Sequence, residues 1–165
     1  MAIGDLIPRL RAASGRLASL RPAVEAGTPW PLSANFGTAS EASWGPPETL
    51  AHVAEMVPFW LGEIERIVDG PEPAPFGRVA TDQLRVLILE RDRSLPPREL
   101  FGRIAAGTER VATRLGTLTP AEARRRGLHP SRGELTVENA AERFIVSHLE
   151  EHAQQLAEVL RGTEK

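Results

Sequence analysis

Residues 44–73 read WGPPETLAHVAEMVPFWLGEIERIVDGPEP, and the fold class follows from this stretch. Its apolar residues recur at alternating spacings of three and four, as on the buried face of a bundle helix. They are Leu50, Val53, Val57, Trp60, Ile64 and Ile67. The two prolines before Glu48 suit a first helical turn, and DGPEP ends the pattern. The stretch therefore predicts a long amphipathic helix, in which Pro58 predicts a kink or one missing hydrogen bond.

Three further segments carry the same periodicity and predict three more long helices. The apolar stripe of the first consists of Leu6, Leu10, Ala13, Leu17, Leu20 and Val24. The third helix follows SLPPRE, with Ser94 as its candidate cap, and its stripe consists of Leu100, Ile104, Val111, Leu115 and Leu118. The last helix runs from Thr136 to about Arg161, with an inner face of Ala141, Ile145, His148, His152, Leu156 and Val159.

The connections between these helices complete the predicted architecture. The capping-box pattern TPAE at 119–122 predicts a short helix that ends at Gly127. Residues 25–45 are rich in Gly, Pro, Ser and Thr and predict an ordered loop or short turns. Residues 70–95 include DQLRVLILERD, which fits either a short strand or a helical turn. Residues 1–165 thus predict one all-α domain, a four-helix bundle with a long crossover between helices 2 and 3 and a short extra helix before helix 4.

The composition excludes several classes of function. The chain of 165 residues has no cysteine, which excludes disulfides, thiolate metal sites and a catalytic cysteine. A net charge of -2 argues against a nucleic-acid partner. No apolar run reaches the roughly 18–20 residues that cross a bilayer, so no membrane association is expected. The N-terminal sequence lacks the pattern of a signal peptide, and the expected location is cytoplasmic.

Histidines supply the candidate functional residues. In VSHLEEHAQQL, residues 146–156, His148 and His152 lie one helical turn apart on the inner face. They are either two metal ligands or two buried histidines that bind no metal. They do not form the HExxH zinc-protease motif, because no Glu directly follows His148. His52 lies beside the apolar stripe of the second helix and fits either a third ligand or a hydrogen-bonded histidine at the core edge. His129, before Pro130, is expected to be a solvated loop residue.

The segments SWGPPETLAHVAEMVPFW, RDRSLPPRELFGRIAAGTERVATRLGTLTPAEARRRGLHPSRGELTV and HLEEHAQQLAEVL, taken in order, resemble the DinB/YfiT-like superfamily. The resemblance covers residues 44–160 and implies a four-helix bundle that forms a homodimer. It also implies a divalent metal, zinc or nickel and alternatively iron or manganese, bound by a histidine of the second helix and the HxxxH pair of the fourth. The matching residues here are His52, His148 and His152.

Three imidazole ligands leave a coordination position for water or substrate, as in catalytic metal sites. The resemblance implies transfer of an external low-molecular-weight thiol to a small-molecule electrophile, with hydrolysis as the alternative reaction. No catalytic residue beyond the metal ligands is assigned. A third interpretation is a non-catalytic, stress-associated bundle whose histidines are structural or vestigial.

Other side chains near these histidines have two interpretations each. Glu55, Glu151 and Gln155 either orient the imidazoles or are solvated. Trp44, Phe59 and Trp60 either line a pocket or belong to the core. The basic cluster of Arg124, Arg125, Arg126 and Arg132 either forms a solvated face or binds an anionic substrate.

Overall fold

The computed structural model describes residues 2–34 and 41–163, which form the predicted helical bundle. Four long helical segments build it: α1 (Ile3–Ser19), α3 (Pro46–Asp69), α5 (Pro97–Thr117) and a last segment made of α7 (Val137–Ala141), a π-helical turn (Glu142–Val146) and α8 (Ser147–Thr163). Helix α1 packs on α5 and α8, and α3 packs on α5, α7 and α8. None of the helices in the described part is long and apolar enough to cross a membrane.

The first predicted helix is divided into two helices. Helix α1 ends at Ser19, and a short helix α2 (Arg21–Ala26) follows. Pro22 has no N–H group with which to continue the hydrogen bonding of α1. The predicted stripe is nevertheless buried at Leu6, Leu10, Ala13, Leu17 and Val24. Helix α3 confirms the long helix predicted from residues 44–73. Pro58 lies inside this helix, on its exposed side.

The crossover between α3 and α5 contains a helix of its own. The segment DQLRVLILERD forms α4 (Gln83–Asp92), capped by Asp82, whose side chain accepts a hydrogen bond from the N–H of Arg85 at 3.0 Å. The loop predicted for residues 25–45 lies partly outside the described residues. Its described end is a single 3-10 turn, Glu41–Ser43, directly before α3.

Two predicted helix ends were wrong. Helix α5 begins at Pro97 after Pro96, so Ser94 is not its cap. The short helix α6 (Pro120–Ala123) has the predicted capping box at Thr119 but ends before Gly127. Gly127 lies instead in a strand, where an added Cβ would approach a side-chain carbon of Ile67 to 2.7 Å. Only glycine lets the chain pass this close to α3.

A three-stranded sheet was not predicted. Strand β1 (Ala74–Pro75) pairs in parallel with β2 (Arg126–His129), which pairs antiparallel with β3 (Gly133–Thr136). Strands of two to four residues are too short to show the alternating pattern by which a strand is recognised in sequence. The sheet links the crossover after α3 to the hairpin that precedes the last helix.

The last helix begins as predicted, because the side chain of Thr136 accepts a hydrogen bond from the N–H of Asn139 at 3.1 Å. The π-helical turn that follows was not predicted. Such turns add one residue to a helical turn and are frequent at functional sites. This one lies between α7 and α8 and ends two residues before His148.

Candidate metal centre

Three histidines and one glutamate converge between α3, α8 and the 3-10 turn. His52 comes from α3, His148 and His152 come from α8, and Glu41 comes from the turn before α3. One side-chain donor atom from each of the four residues lies within 4.8 Å of the others. The structure thus brings together all three histidines that the sequence proposed as ligands.

The imidazoles face one another through their Nε2 atoms. The Nε2 atoms of His52 and His148 are 3.4 Å apart. The rings of His148 and His152 stack with centroids 4.6 Å apart, since residues four positions apart are neighbours on a helix surface. His52 and His152 are 2% and 3% exposed, whereas the side chain of His148 is 26% exposed. His148 therefore forms the solvent-facing side of the cluster.

Glu41 is the member of the cluster that sequence reasoning missed. Its Oε2 lies 3.7 Å from Nε2 of His152 and 3.9 Å from Nε2 of His148. Its Oε1 lies 3.9 Å from Nε2 of His52. Glu41 belongs to a Gly/Ser-rich segment without periodicity, so no pattern in the sequence indicates which way its side chain points.

A hydrogen-bond chain fixes the tautomer of His152. The side-chain amide of Gln155 donates to the backbone carbonyl of Glu41 at 2.6 Å. The amide oxygen of Gln155 therefore faces Nδ1 of His152, 2.9 Å away, and this nitrogen must carry the proton. Its Nε2 then presents a lone pair to the cluster and has no hydrogen-bond partner among the described residues. This is the arrangement found for metal-ligating histidines.

Arg85 of α4 contacts both His52 and Glu41. Its Nη2 donates to Oε1 of Glu41 at 2.7 Å and lies 3.3 Å from Nδ1 of His52. Its Nη1 donates to the carbonyl of Ala80 at 2.9 Å. Because a guanidinium only donates, Nδ1 of His52 faces Arg85 as an acceptor here, and a cation held by Nε2 would require the ring proton on Nδ1 instead.

The protonation states suit cation binding, which requires neutral imidazoles. Burial lowers the pKa of His152 to about 4, and the adjacent His148 acts in the same direction. Burial also lowers the pKa of His52 well below its usual value, with contributions from His152 and His148. The pKa of Glu41 is lowered chiefly by His148, against the opposing effect of its partial burial. At neutral pH the cluster therefore combines neutral imidazoles at His52 and His152 with a carboxylate at Glu41.

The donor spacing matches a divalent metal. Zinc binds imidazole nitrogen and carboxylate oxygen at about 2.0–2.2 Å, and a tetrahedron of that size has edges of about 3.4 Å. The Nε2 atoms of His52 and His148 are 3.4 Å apart, and one or the other carboxylate oxygen of Glu41 lies 3.7–3.9 Å from each of the three Nε2 atoms. The unpartnered Nε2 of His152 supports the same interpretation, because buried polar atoms normally have a partner. The cluster is thus suited to a divalent metal ion.

A cavity of about 280 Å³ adjoins the cluster and is lined by Glu41, His52 and His148 among other residues. Stacked rings form one of its walls, with the centroids of Trp60 and Phe144 separated by 4.2 Å. Phe144 belongs to the π-helical turn, which thus supplies a cavity wall directly before the HLEEH segment. The cavity gives a small molecule a place beside the cluster.

The prediction for His129 was wrong. It lies in β2, is 4% exposed and stacks on Phe144 with ring centroids 5.0 Å apart. Its Nδ1 accepts a hydrogen bond from the N–H of Ser131 at 3.2 Å. Burial lowers its pKa, as do the positive charges of Arg132 and Arg143. His129 is therefore a neutral, buried wall residue of the cavity that does not belong to the four-residue cluster.

The remaining candidates divide between the site and its surroundings. Gln155 orients His152, as one of its two interpretations proposed, whereas Glu151 is exposed and Glu55 pairs with Arg78 at 2.5 and 2.6 Å. Trp60 lines the cavity, and Trp44 packs edge-on against His52.

The basic cluster does not act as one unit. Arg125 donates to the carbonyls of Ile67 and Gly70, and Arg126 pairs with Glu72 and Glu134. Arg124 is exposed, and Arg132 is the member that lines the cavity. Two of the four arginines therefore have structural partners, and one is placed to meet a ligand.

Comparison with protein families matches residues 5–156 to the DinB superfamily. Among solved structures, YfiT from Bacillus subtilis is similar, with a TM-score of 0.74 and 18% sequence identity over 98% of this chain and 87% of YfiT. That protein is described as a probable metal-dependent hydrolase with an unusual four-helix bundle topology. Comparison with curated protein sequences gives no significant match. The family and the bundle expected from the sequence are thereby confirmed.

Proposed function

We propose that this chain, which belongs to the DinB superfamily, is a divalent-metal-dependent enzyme that hydrolyses a small molecule. The observation that carries the proposal is the convergence of three imidazoles, two of them deeply buried, with one Nε2 left unpartnered and a cavity alongside. The description of YfiT as a probable metal-dependent hydrolase supports the choice of reaction.

In this proposal His52, His148 and His152 hold the metal. Imidazole donors suit zinc, nickel and iron. We propose that the bound ion is zinc or nickel, with iron or manganese as alternatives. When bound, such an ion lowers the pKa of a coordinated water or thiol and polarises a substrate carbonyl. The protein fixes the ligands: Gln155 holds the ring of His152, and the wall formed by Trp60 and Phe144 positions the substrate.

The second candidate reaction is transfer of an external low-molecular-weight thiol to an electrophile. The chain has no cysteine, so any thiol nucleophile must enter from solution. The cavity beside His148 is the route by which either a thiol or an ester would reach the cluster. The same site therefore serves both candidates, and the choice of nucleophile is decided by experiment.

Elemental analysis of the protein purified without a His tag tests the metal site. We expect near-stoichiometric zinc, nickel, iron or manganese in the wild type and its loss in His148→Ala. A His148→Ala variant that retains the full metal content, or a wild type that stays empty when titrated with these ions, would refute the site.

Activity assays of the metal-loaded protein separate the reactions. Hydrolysis of a nitrophenyl ester that requires the metal and is lost in His148→Ala supports the hydrolase. Consumption of a model electrophile only when a small thiol is added supports the transferase. A fully loaded protein that does neither supports the non-catalytic alternative. The homodimer expected from the resemblance remains a prediction, which light scattering of the purified protein tests.

Replacing Gln155 by leucine is expected to lower the metal affinity by about 10–100-fold, the usual effect of losing the group that orients a ligating histidine. The substitution removes the acceptor of the Nδ1 proton of His152 and leaves that buried donor unpaired. Competition with a chromogenic chelator measures the change. Gln154→Leu is the matched control, since Gln154 is exposed and donates its hydrogen bond to Glu158, away from the cluster. Equal affinities in the two variants would contradict the role of Gln155.

A further inference from the structure

We propose that Glu41 is a displaceable fourth ligand of the metal, so that the site is closed until an incoming molecule replaces its carboxylate. This inference rests on the proposed binding of a metal by the three clustered histidines. It changes the expectation from the sequence, in which three histidines leave one coordination position open to solvent.

The carboxylate of Glu41 lies across the face formed by the three imidazoles. Its Oε2 lies 3.7 Å from Nε2 of His152 and 3.9 Å from Nε2 of His148, and its Oε1 lies 3.9 Å from Nε2 of His52. All three are longer than a normal hydrogen bond. They are instead within about half an ångström of the donor–donor spacing in a tetrahedral site. With respect to His148 and His152, Oε2 therefore lies where a fourth donor would.

Two contacts from outside the cluster place Glu41 there. Arg85 binds Oε1 at 2.7 Å, and Gln155 binds the backbone carbonyl at 2.6 Å. Because Oε1 is taken by the guanidinium, Oε2 is the oxygen directed at His148 and His152. Arg85 is itself buried and anchored to the carbonyl of Ala80, so its position is well defined.

The carboxylate of Glu41 is also placed so that an incoming molecule can displace it. The side chain of Glu41 is 37% exposed and lines the cavity through which a substrate would arrive. A carboxylate that leaves the cluster can keep its ion pair with Arg85, so its charge does not become unpaired. The displaced carboxylate would then lie beside the incoming molecule as a proton acceptor.

The test uses the full chain loaded with cobalt(II), whose visible absorption reports its ligands. Azide probes access to the fourth position. In Glu41→Gln we expect the cobalt dissociation constant to rise by at least about tenfold. We expect the apparent azide dissociation constant to fall by at least about tenfold, because azide no longer competes with a carboxylate that fills the position. Glu41→Ala is expected to behave in the same way, and circular dichroism checks that both variants are folded.

Glu151→Gln is the matched control, since it removes one negative charge from an exposed residue beside His152 without touching the cluster. It should bind cobalt and azide like the wild type. If either expected change is missing from both Glu41 variants, or is reproduced by Glu151→Gln, the fourth-ligand role is refuted while the histidine site stands. A wild type that binds no cobalt refutes the proposed metal site and this inference together.

Discussion

His152→Ala is expected to lower the affinity for zinc by at least about 100-fold. Losing a group that only orients a ligand lowers metal affinity by up to about 100-fold, and losing the ligand itself should cost at least as much. The substitution removes the ligand that the structure prepares most completely. Its Nδ1 proton is held by Gln155, its Nε2 lacks a partner among the described residues, and burial keeps the ring neutral. Calorimetric titration of the metal-free protein measures the change.

His129→Gln is the control for this prediction, because it also removes a buried imidazole from the cavity wall but not from the cluster. Its zinc affinity should stay within about threefold of the wild type. Unfolding of each metal-free variant in urea separates loss of a ligand from loss of the fold. Comparable losses of affinity in the two variants would mean that the four-residue cluster is not the metal site.

Gly77→Ala is expected to destabilise the protein by about 2–5 kcal/mol. Gly77 has a φ of 88°, a conformation that costs a residue with a side chain about 1–2 kcal/mol. An added Cβ would also lie 2.8 Å from Nε2 of His129, and relieving such an overlap in a packed region costs about 1–3 kcal/mol. The substitution would therefore push His129 against the rings of the cavity wall.

Gly133→Ala separates these two effects. Gly133 also has a positive φ, 76°, but nothing lies within 4 Å of an added Cβ. We expect it to cost only about 1–2 kcal/mol, and urea unfolding of the two variants and the wild type gives the difference. Equal losses would show that packing against His129 contributes nothing.

The four long helical segments and three of the four cluster residues were predictable because they depend on local periodicity. The stripe from Leu50 to Ile67 fixes which side of α3 is buried, and His52 lies at the edge of that side. The spacing of His148 and His152 places both rings on one face of any helix. The family resemblance then indicated that the two helices bring these residues together, which periodicity alone does not show.

Glu41, Arg85 and His129 could not be assigned in this way. Glu41 follows a segment without a repeat, and Arg85 interrupts an apolar run that fitted a strand as well as a helix. His129 was predicted to be solvated because it precedes a proline, yet its strand pairs with residues about fifty positions earlier in the chain and carries it into the interior. These placements depend on contacts between distant segments.

The sequence by itself determined the four long helical segments, which of their faces are buried and which of their histidines point inward, because each of these follows from the 3.6-residue repeat of the helix. Only the tertiary structure decided which residues complete the site around the three histidines. There α4 brings Arg85 to the turn that carries Glu41, and the π-helical turn places Phe144 in the wall of the adjoining cavity. The physical reason is that packing and ion pairing between elements far apart in the chain set these positions, and such contacts leave no period in the sequence.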